Sequence, residues 1–205
     1  MVLKAASRRL CAMSGPVFRV VIHGALRKLH FPGYPSERQR SHMDIQPAAP
    51  EDEEAIVHLW HQGWHDAHAE LVPPEALVYR TKSHFRIWLR EAPDTFYVAR
   101  SGDNLIGFVF LMGIEVVKLY VGVGARGTGV ASALLGFAEH ALRQDGVSQA
   151  ELFCTAGNIR AERFYIRQGW CLIDTFDDAL WAPPGISQKF VVSTHRYRKR
   201  LADKQ

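Results

Sequence analysis

The chain has 205 residues, of which 47% are hydrophobic and 22% charged, the balance of a folded globular domain and not of a disordered chain. No stretch approaches the roughly 18 uncharged apolar residues that cross a bilayer, so we predict no membrane partner. The three cysteines include no CxxC pair. They fit neither a disulfide framework nor a cysteine zinc site, and they predict a reducing, cytoplasmic location.

The net charge of +4 is unevenly distributed along the chain. Residues 1–42 carry eight of the 25 Lys and Arg but one of the 21 acids, so residues 43–205 carry 17 bases and 20 acids. A nucleic-acid-binding domain needs a basic face on its folded part, and we therefore predict no nucleic-acid partner. The basic leader, residues 1–42, is interpreted as an upstream extension without its own fold, a transit peptide or a functional tail. The domain is predicted to span residues 43–205.

The apolar periodicity of the domain predicts alternating strands and helices. In chain order, strands are predicted at 44–47, 95–100, 105–112, 114–121, 149–154, 170–175 and 190–197, and helices at about 50–67, 74–90, 128–144 and 158–168. The hairpin of 95–112 starts the sheet antiparallel, and the strand–helix–strand unit after residue 114 makes it partly parallel.

A glycine-rich turn joins the strand at 114–121 to the following helix. Glycines let a backbone approach a ligand closely, and the free N–H groups of a helix start attract phosphate. Residues 122–127 read Gly-Val-Gly-Ala-Arg-Gly and match the dinucleotide pattern GxGxxG, which leaves a dinucleotide-binding oxidoreductase open. That interpretation expects an acid at the end of the next strand, whereas the strand at 149–154 has its acid, Glu151, near its start.

The same turn supports a second phosphate-binding interpretation. Residues 126–131 read Arg-Gly-Thr-Gly-Val-Ala, the pattern (R/Q)xxGx(G/A), and about 28 residues later the segment 158–165 reads Asn-Ile-Arg-Ala-Glu-Arg-Phe-Tyr. Together they resemble motifs A and B of the GNAT superfamily, the Gcn5-related N-acetyltransferases. The chain departs from that pattern at 122–124, where many members have Asp-Pro, and at Trp170, where Phe is common.

The resemblance implies a fold and an activity. The fold class is α/β, the GNAT acyl-CoA N-acyltransferase fold, with a mixed central sheet of about seven strands flanked by four helices. The activity is transfer of acetyl from acetyl-CoA, as co-substrate, to a primary amine by direct attack, with no metal. A non-catalytic acyl-CoA-binding module on the same fold is the alternative.

The resemblance also assigns cofactor-binding residues. The pyrophosphate is expected on the turn and helix start, and the pantetheine arm beside the preceding strand, where a backbone N–H near Val121 meets the thioester oxygen. Asn158 is expected to hydrogen-bond the arm, although a plain helix N-cap would explain it equally. The predicted cofactor-binding residues are Leu119, Tyr120, Val121, Arg126, Gly127, Thr128, Gly129, Val130, Ala131 and Asn158.

Two residues match the family's catalytic positions. An amine with a pKa of about 10.4 is almost fully protonated at neutral pH, so a base must free its lone pair. Glu115 matches the family's acid on this strand and is the predicted base, or else a carboxylate that contacts the substrate. Tyr165 matches the tyrosine that protonates the leaving thiolate, or else a core aromatic. Cys154 lies inside a strand, and we predict a small buried residue and not a nucleophile.

Four histidines follow one face of the first predicted helix, at positions 58, 61, 65 and 68. Their spacing suits a metal, a solvated stripe or, with the neighbouring tryptophan, the wall of the acceptor cleft. For the cleft we predict Trp64, His65 and His68 as substrate-binding residues, and we expect no metal. The predicted partner is a small-molecule amine or peptide acceptor, and a homodimer is compatible with the sequence. The acidic domain favours a cationic small molecule.

Overall fold

Strands and helices follow the predicted order in a computed structural model, which describes residues 43–183 and 185–201. Predictions about the basic leader fall outside the described residues. The described strands are β1 (Met43–Pro47), β2 (Phe96–Ser101), β3 (Asn104–Met112), β4 (Glu115–Val121), β5 (Gln149–Thr155), β6 (Cys171–Leu180) and β7 (Phe190–Arg200). The described helices are α1 (Glu53–His68), α2 (Lys82–Glu91), α3 (Val130–Gln144) and α4 (Ile159–Arg167).

The seven strands form one sheet in the order β1-β2-β3-β4-β5-β7-β6. Neighbouring strands are antiparallel except β4 and β5, which run parallel because α3 connects them as a crossover. The predicted α/β class, a mixed sheet of about seven strands flanked by four helices, is confirmed.

Each face of the sheet carries its own apolar core, because successive side chains of a strand point to opposite faces. On β3, Phe108 packs on the core that α1 and α2 cover, whereas Val109 packs on the core that α3 and α4 cover. On α1, Gly63 lets the ring of Tyr120 lie close, since a Cβ at Gly63 would come within 2.7 Å of that ring. The sheet therefore lies between two helical layers, α1 with α2 on one face and α3 with α4 on the other.

Three predicted boundaries were wrong. The helix predicted at 74–90 is a short 3-10 helix, Pro74–Tyr79, followed by α2 from Lys82. The helix predicted from residue 128 begins at Val130, because the preceding Gly129 has a left-handed φ of 93°. The strand predicted at 170–175 continues to Leu180, paired with β7 along its whole length.

The parallel pair at the centre of the sheet diverges after two residues. Glu115 pairs with Glu151 and Val116 with Leu152, and no further pairing joins β4 to β5. A β-bulge lies at the same point, because Phe110 pairs with Lys118 while the next residue of β3 pairs with Val116. Beyond it, the edges of β4 and β5 face a gap.

Candidate active site

The gap between β4 and β5 opens into a cavity of about 680 Å³. One part of its wall comes from the glycine-rich turn and the starts of α3 and α4, and another from α1, the segment before α2 and the end of β6. The cavity therefore runs from one face of the sheet to the other through the gap. A long ligand could enter along one face and meet a second ligand from the opposite face.

The glycine-rich turn presents backbone donors to this cavity. Gly127 and Gly129 have φ of 77° and 93°, and a Cβ on either would meet nothing within 4 Å. The first N–H groups of a helix have no acceptor inside it. In α3 the N–H of Ala133 donates to the Gly129 carbonyl at 3.0 Å. The N–H groups before Ala133 are therefore available to an anion. The Thr128 hydroxyl donates to the Ala125 carbonyl at 2.7 Å and fixes the turn.

The exposed edge of β4 presents donors of the same kind. The N–H of Gly122 donates to the Ile106 carbonyl on β3 at 2.9 Å. Successive N–H groups of an extended chain point to opposite sides, so the N–H groups of Val121 and Leu119 point into the gap. Both residues line the cavity. The open turn, the free helix start and the unpaired strand edge together fit a ligand with an anionic end and a peptide-like arm, as CoA has.

One carboxylate bridges the two sides of the cavity mouth. Asp66 on α1 lies 2.8 Å from Arg126 of the turn and 2.8 Å from Arg160 at the start of α4. The hydrogen bond from Arg160 is the largest cause of the lowered pKa of Asp66, and Arg126 adds to it. Both arginines line the cavity, where they add positive charge beside the turn.

The side chains of α4 and β5 form the next part of the wall. Tyr165 lines the cavity, and burial raises the pKa of its phenol, which therefore stays protonated at neutral pH. Cys154 also lines it, and burial raises the pKa of this thiol to about 12, so it is not a thiolate nucleophile. The Oδ1 of Asn158 caps α4 by accepting from the Ala161 N–H at 3.3 Å, and the residue also lines the cavity, whereas its hydrogen bond to the cofactor arm stays a prediction.

Glu115 and Lys118 of β4 form a charged cluster with Asp178 of β6. Burial raises the pKa of Glu115 and that of Asp178, while burial lowers the pKa of Lys118. Lys118 favours the ionised form of both acids, and Asp178 disfavours the charge of Glu115. Among the described residues, Lys118 and Asp178 line the cavity and Glu115 does not. The predicted base is therefore not part of the cavity wall, although it interacts with two charged residues that are.

The three predicted substrate-binding residues divide into two groups. Trp64 and His68 line the cavity with their rings stacked at 5.2 Å, and burial lowers the pKa of His68 to about 4. His65 is absent from the described lining and hydrogen-bonds through Nε2 to the carbonyl of Arg80 at 2.8 Å. We therefore keep Trp64 and His68 as predicted substrate contacts, and we assign His65 to positioning the backbone at Arg80.

The described part of the chain has neither a group of side chains placed to hold a metal ion nor a helix able to cross a membrane. No group of three or more His, Cys, Asp or Glu there is placed to hold a metal ion, and this includes the four histidines of α1. No helix among residues 43–183 and 185–201 has the length and apolar character to cross a membrane.

Sequence reasoning missed five residues of this site. They are Asp66, Arg80, Lys118, Arg160 and Asp178. A lysine between apolar residues of a strand was a signal that could have identified Lys118. The others carried no such signal, because their partners lie on different elements.

Comparison with protein families matches residues 25–170 to the model described as "Acetyltransferase (GNAT) family". A comparison with curated proteins finds no match. The family match covers the glycine-rich turn, both diverging strands and α4, and it extends upstream of the predicted domain start at residue 43.

Several solved structures with similar folds are described as acetyltransferases. A GCN5-related N-acetyltransferase of Rhodopseudomonas palustris is 17% identical, with 75% of this chain and 93% of that chain covered and a TM-score of 0.58. The PaiA N-acetyltransferase of Thermoplasma acidophilum, solved with coenzyme A, is 18% identical, with 74% of this chain and 97% of that chain covered and a TM-score of 0.54. YncA of Salmonella typhimurium, a putative acetyltransferase solved with acetyl-CoA, is 14% identical, with 80% of this chain and 96% of that chain covered and a TM-score of 0.58.

Proposed function

The chain belongs to the GNAT family of acetyltransferases, and from this premise we propose that residues 43–205 form a domain that transfers acetyl from acetyl-CoA to a primary amine by direct attack. The divergence of β4 from β5 next to an open glycine turn is the observation that carries the proposal. It gives a phosphate site and a strand edge in one continuous cavity, which favours an acyl-CoA over the dinucleotide alternative. A homodimer and a cytoplasmic location stay predictions.

The backbone of the turn and of β4 would hold the co-substrate. The N–H groups of residues 127–131 would bind the pyrophosphate, with Arg126 beside it. The edge of β4 would pair with the pantetheine arm as an added strand does. When bound, acetyl-CoA supplies the thioester whose C–S bond breaks as the amine nitrogen bonds to the acetyl carbon. The N–H of Val121 would donate to the thioester oxygen, where negative charge develops.

Side chains of the cavity wall would move the two protons. Because Glu115 does not line the cavity, it would take a proton from the attacking amine through water, and Asp178 forms part of the cavity wall. The Tyr165 phenol would donate its proton to the departing sulfur. The products, an N-acetylated amine and CoA thiol, balance the proton taken at nitrogen against the proton given to sulfur.

Binding and turnover test this proposal separately. Saturating acetyl-CoA should raise the melting temperature by mass action, because a hundredfold excess over Kd adds about 2.7 kcal/mol to the free energy of unfolding. NADH should cause no such shift. A panel of primary amines should then give release of CoA thiol with at least one acceptor. No shift with millimolar acetyl-CoA or CoA would refute the proposal, and binding without thiol release from any amine would support the non-catalytic alternative.

The pH dependence of the rate should identify the base. A carboxylate base works only when deprotonated, so activity should fall as the pH falls through its pKa. Since burial raises the pKa of Glu115 above its ordinary value of 4.5, this acid limb of kcat/KM should lie above pH 4.5. Glu115→Gln should reduce kcat by about a hundredfold or more and abolish the limb.

Asp178→Asn is the matched control, because Asp178 has a raised pKa and lies in the same cluster. Asp178→Asn should shift the pH at which kcat/KM falls, and the variant should retain most of its turnover. If instead Asp178→Asn abolishes the limb while Glu115→Gln keeps it, the base is Asp178 and the assignment of Glu115 is wrong.

A further inference from the structure

A buried arginine lies at the end of the cavity away from the glycine turn. Arg80 precedes α2 and is 2% exposed. Its guanidinium carbon lies 5.2 Å from the ring centroid of Trp64 and 5.3 Å from that of Trp88, so it is held between two indole faces. All three residues line the cavity. The cation is thus fixed in one orientation by its neighbours.

The charge of Arg80 has no counter-ion within residues 43–183 and 185–201. Nη1 donates to the carbonyl of Tyr79 at 3.0 Å, and this is the one side-chain hydrogen bond that Arg80 makes there. The Nε–Nη2 edge, which binds carboxylates through two parallel hydrogen bonds, is left without an acceptor. Burial lowers the pKa of Arg80 to about 10, so the side chain remains charged at neutral pH.

The surroundings of Arg80 are also positive. Apart from burial, the charges of Lys118, Arg80 and Arg160 each lower the pKa of His68. Arg80 likewise disfavours the charged form of Lys118, whereas Glu115 and Asp178 favour it. A buried, unpaired cation is destabilised by the loss of its hydration, and an anionic group of a ligand would offset that cost. This part of the cavity is therefore suited to a carboxylate, in contrast to the cationic acceptor that the composition favoured.

We propose that Arg80 binds the carboxylate of the acceptor, so that the acceptor is an amino-carboxylate with an apolar body, such as a free amino acid. The inference rests on the proposed function, since it names the substrate class of the same site. Arg80 interacts electrostatically with Tyr120, the neighbour of Val121 on β4. A carboxylate at Arg80 thus leaves the amine beside the strand edge, and an apolar body can pack on Trp88, Phe110 and Trp181.

Matched acceptors that differ in the carboxylate test the proposal. L-Phenylalanine, L-leucine, L-methionine and L-tryptophan are each compared with the corresponding amide and decarboxylated amine, by release of CoA thiol from acetyl-CoA. The free acid should give the higher kcat/KM by about tenfold to a hundredfold, the range expected for a charged hydrogen-bonded pair. Calorimetric titration of the same compounds into the CoA complex should show the same order of affinity without turnover.

Variants of Arg80 connect this preference to the residue. Arg80→Met keeps the length and apolar stem and should bring the acid-to-amide ratio close to one. Arg80→Lys keeps the charge without the planar fork and should restore part of the preference. Arg86→Met is the control: Arg86 lies on α2 and pairs with Glu53 at 3.2 Å, outside the described cavity lining, so the ratio should match wild type.

The outcomes separate this inference from the function on which it rests. Equal or better turnover with the amides, or with peptides and polyamines alone, would overturn the carboxylate site and leave acetyl transfer intact. An undiminished preference in Arg80→Met would do the same, and wild-type data decide the matter if that variant fails to fold. Acetyl-CoA binding without thiol release from any acceptor would overturn both proposals.

Discussion

Replacing Gly129 by valine should weaken acetyl-CoA binding at least tenfold, which corresponds to about 1.4 kcal/mol. Gly129 has a φ of 93° and open space above it, directly before the first residue of α3. A branched side chain there would occupy the space in front of the helix-start N–H groups and would strain the turn that aims them. The measurement is titration calorimetry with acetyl-CoA on the purified variant.

Gly102→Val is the matched control for this experiment. Gly102 lies in the turn between β2 and β3, has a φ of 58° and likewise has nothing within 4 Å. Both variants should lose about 1–2 kcal/mol of stability, the cost of a side chain in the left-handed region, but Gly102→Val should bind acetyl-CoA as wild type does. Equal affinity in the two variants would mean that the turn does not hold the phosphates.

Tyr165→Phe should lower kcat by about 10²- to 10⁴-fold, the usual contribution of a general acid, with little change in the Kd for acetyl-CoA. The phenol lines the cavity and is kept protonated by burial, so it can donate to the departing sulfur. Removal of one hydroxyl leaves the ring and its packing in place. Stopped-flow or steady-state kinetics, with calorimetry for Kd, measure the two quantities separately.

Tyr197→Phe is the control for Tyr165. Its ring lies 5.9 Å from the ring of Tyr165 and is 1% exposed, and it is not part of the described cavity lining. This variant should retain most of its turnover, although it also loses a buried hydroxyl. Equal losses of kcat and of cofactor affinity in Tyr165→Phe would assign Tyr165 to the core and leave the thiolate to be protonated by water.

Local sequence patterns were sufficient for the order of the elements and for locating the glycine-rich turn and the start of α4, which both line the cavity. The segment 126–131 and the segment starting at Asn158 are contiguous, and each occupies one turn and helix start. The glycines that allow a left-handed turn are visible as residue types. Their position relative to the strands then follows from the handedness of the crossover between β4 and β5.

The acceptor side of the cavity could not be predicted in the same way. Arg80 acquires its environment from Trp64 on α1 and Trp88 on α2, whose side chains meet only after the helices pack. The bulge in β4 depends on pairing with β3, and it changes which side chains share a face: Val116 and Leu119, three residues apart, pack on the same core. Such features depend on tertiary packing, which periodicity does not encode.

Amide hydrogen exchange with and without acetyl-CoA tests the central claim, that the cofactor occupies the gap between β4 and β5 and rests on the turn before α3. Saturating acetyl-CoA should slow exchange in residues 119–121 and 126–131, while the hairpin turn at Gly102 should exchange at an unchanged rate. Unchanged exchange in both segments under conditions where calorimetry shows binding, or protection confined to another part of the chain, would contradict the account.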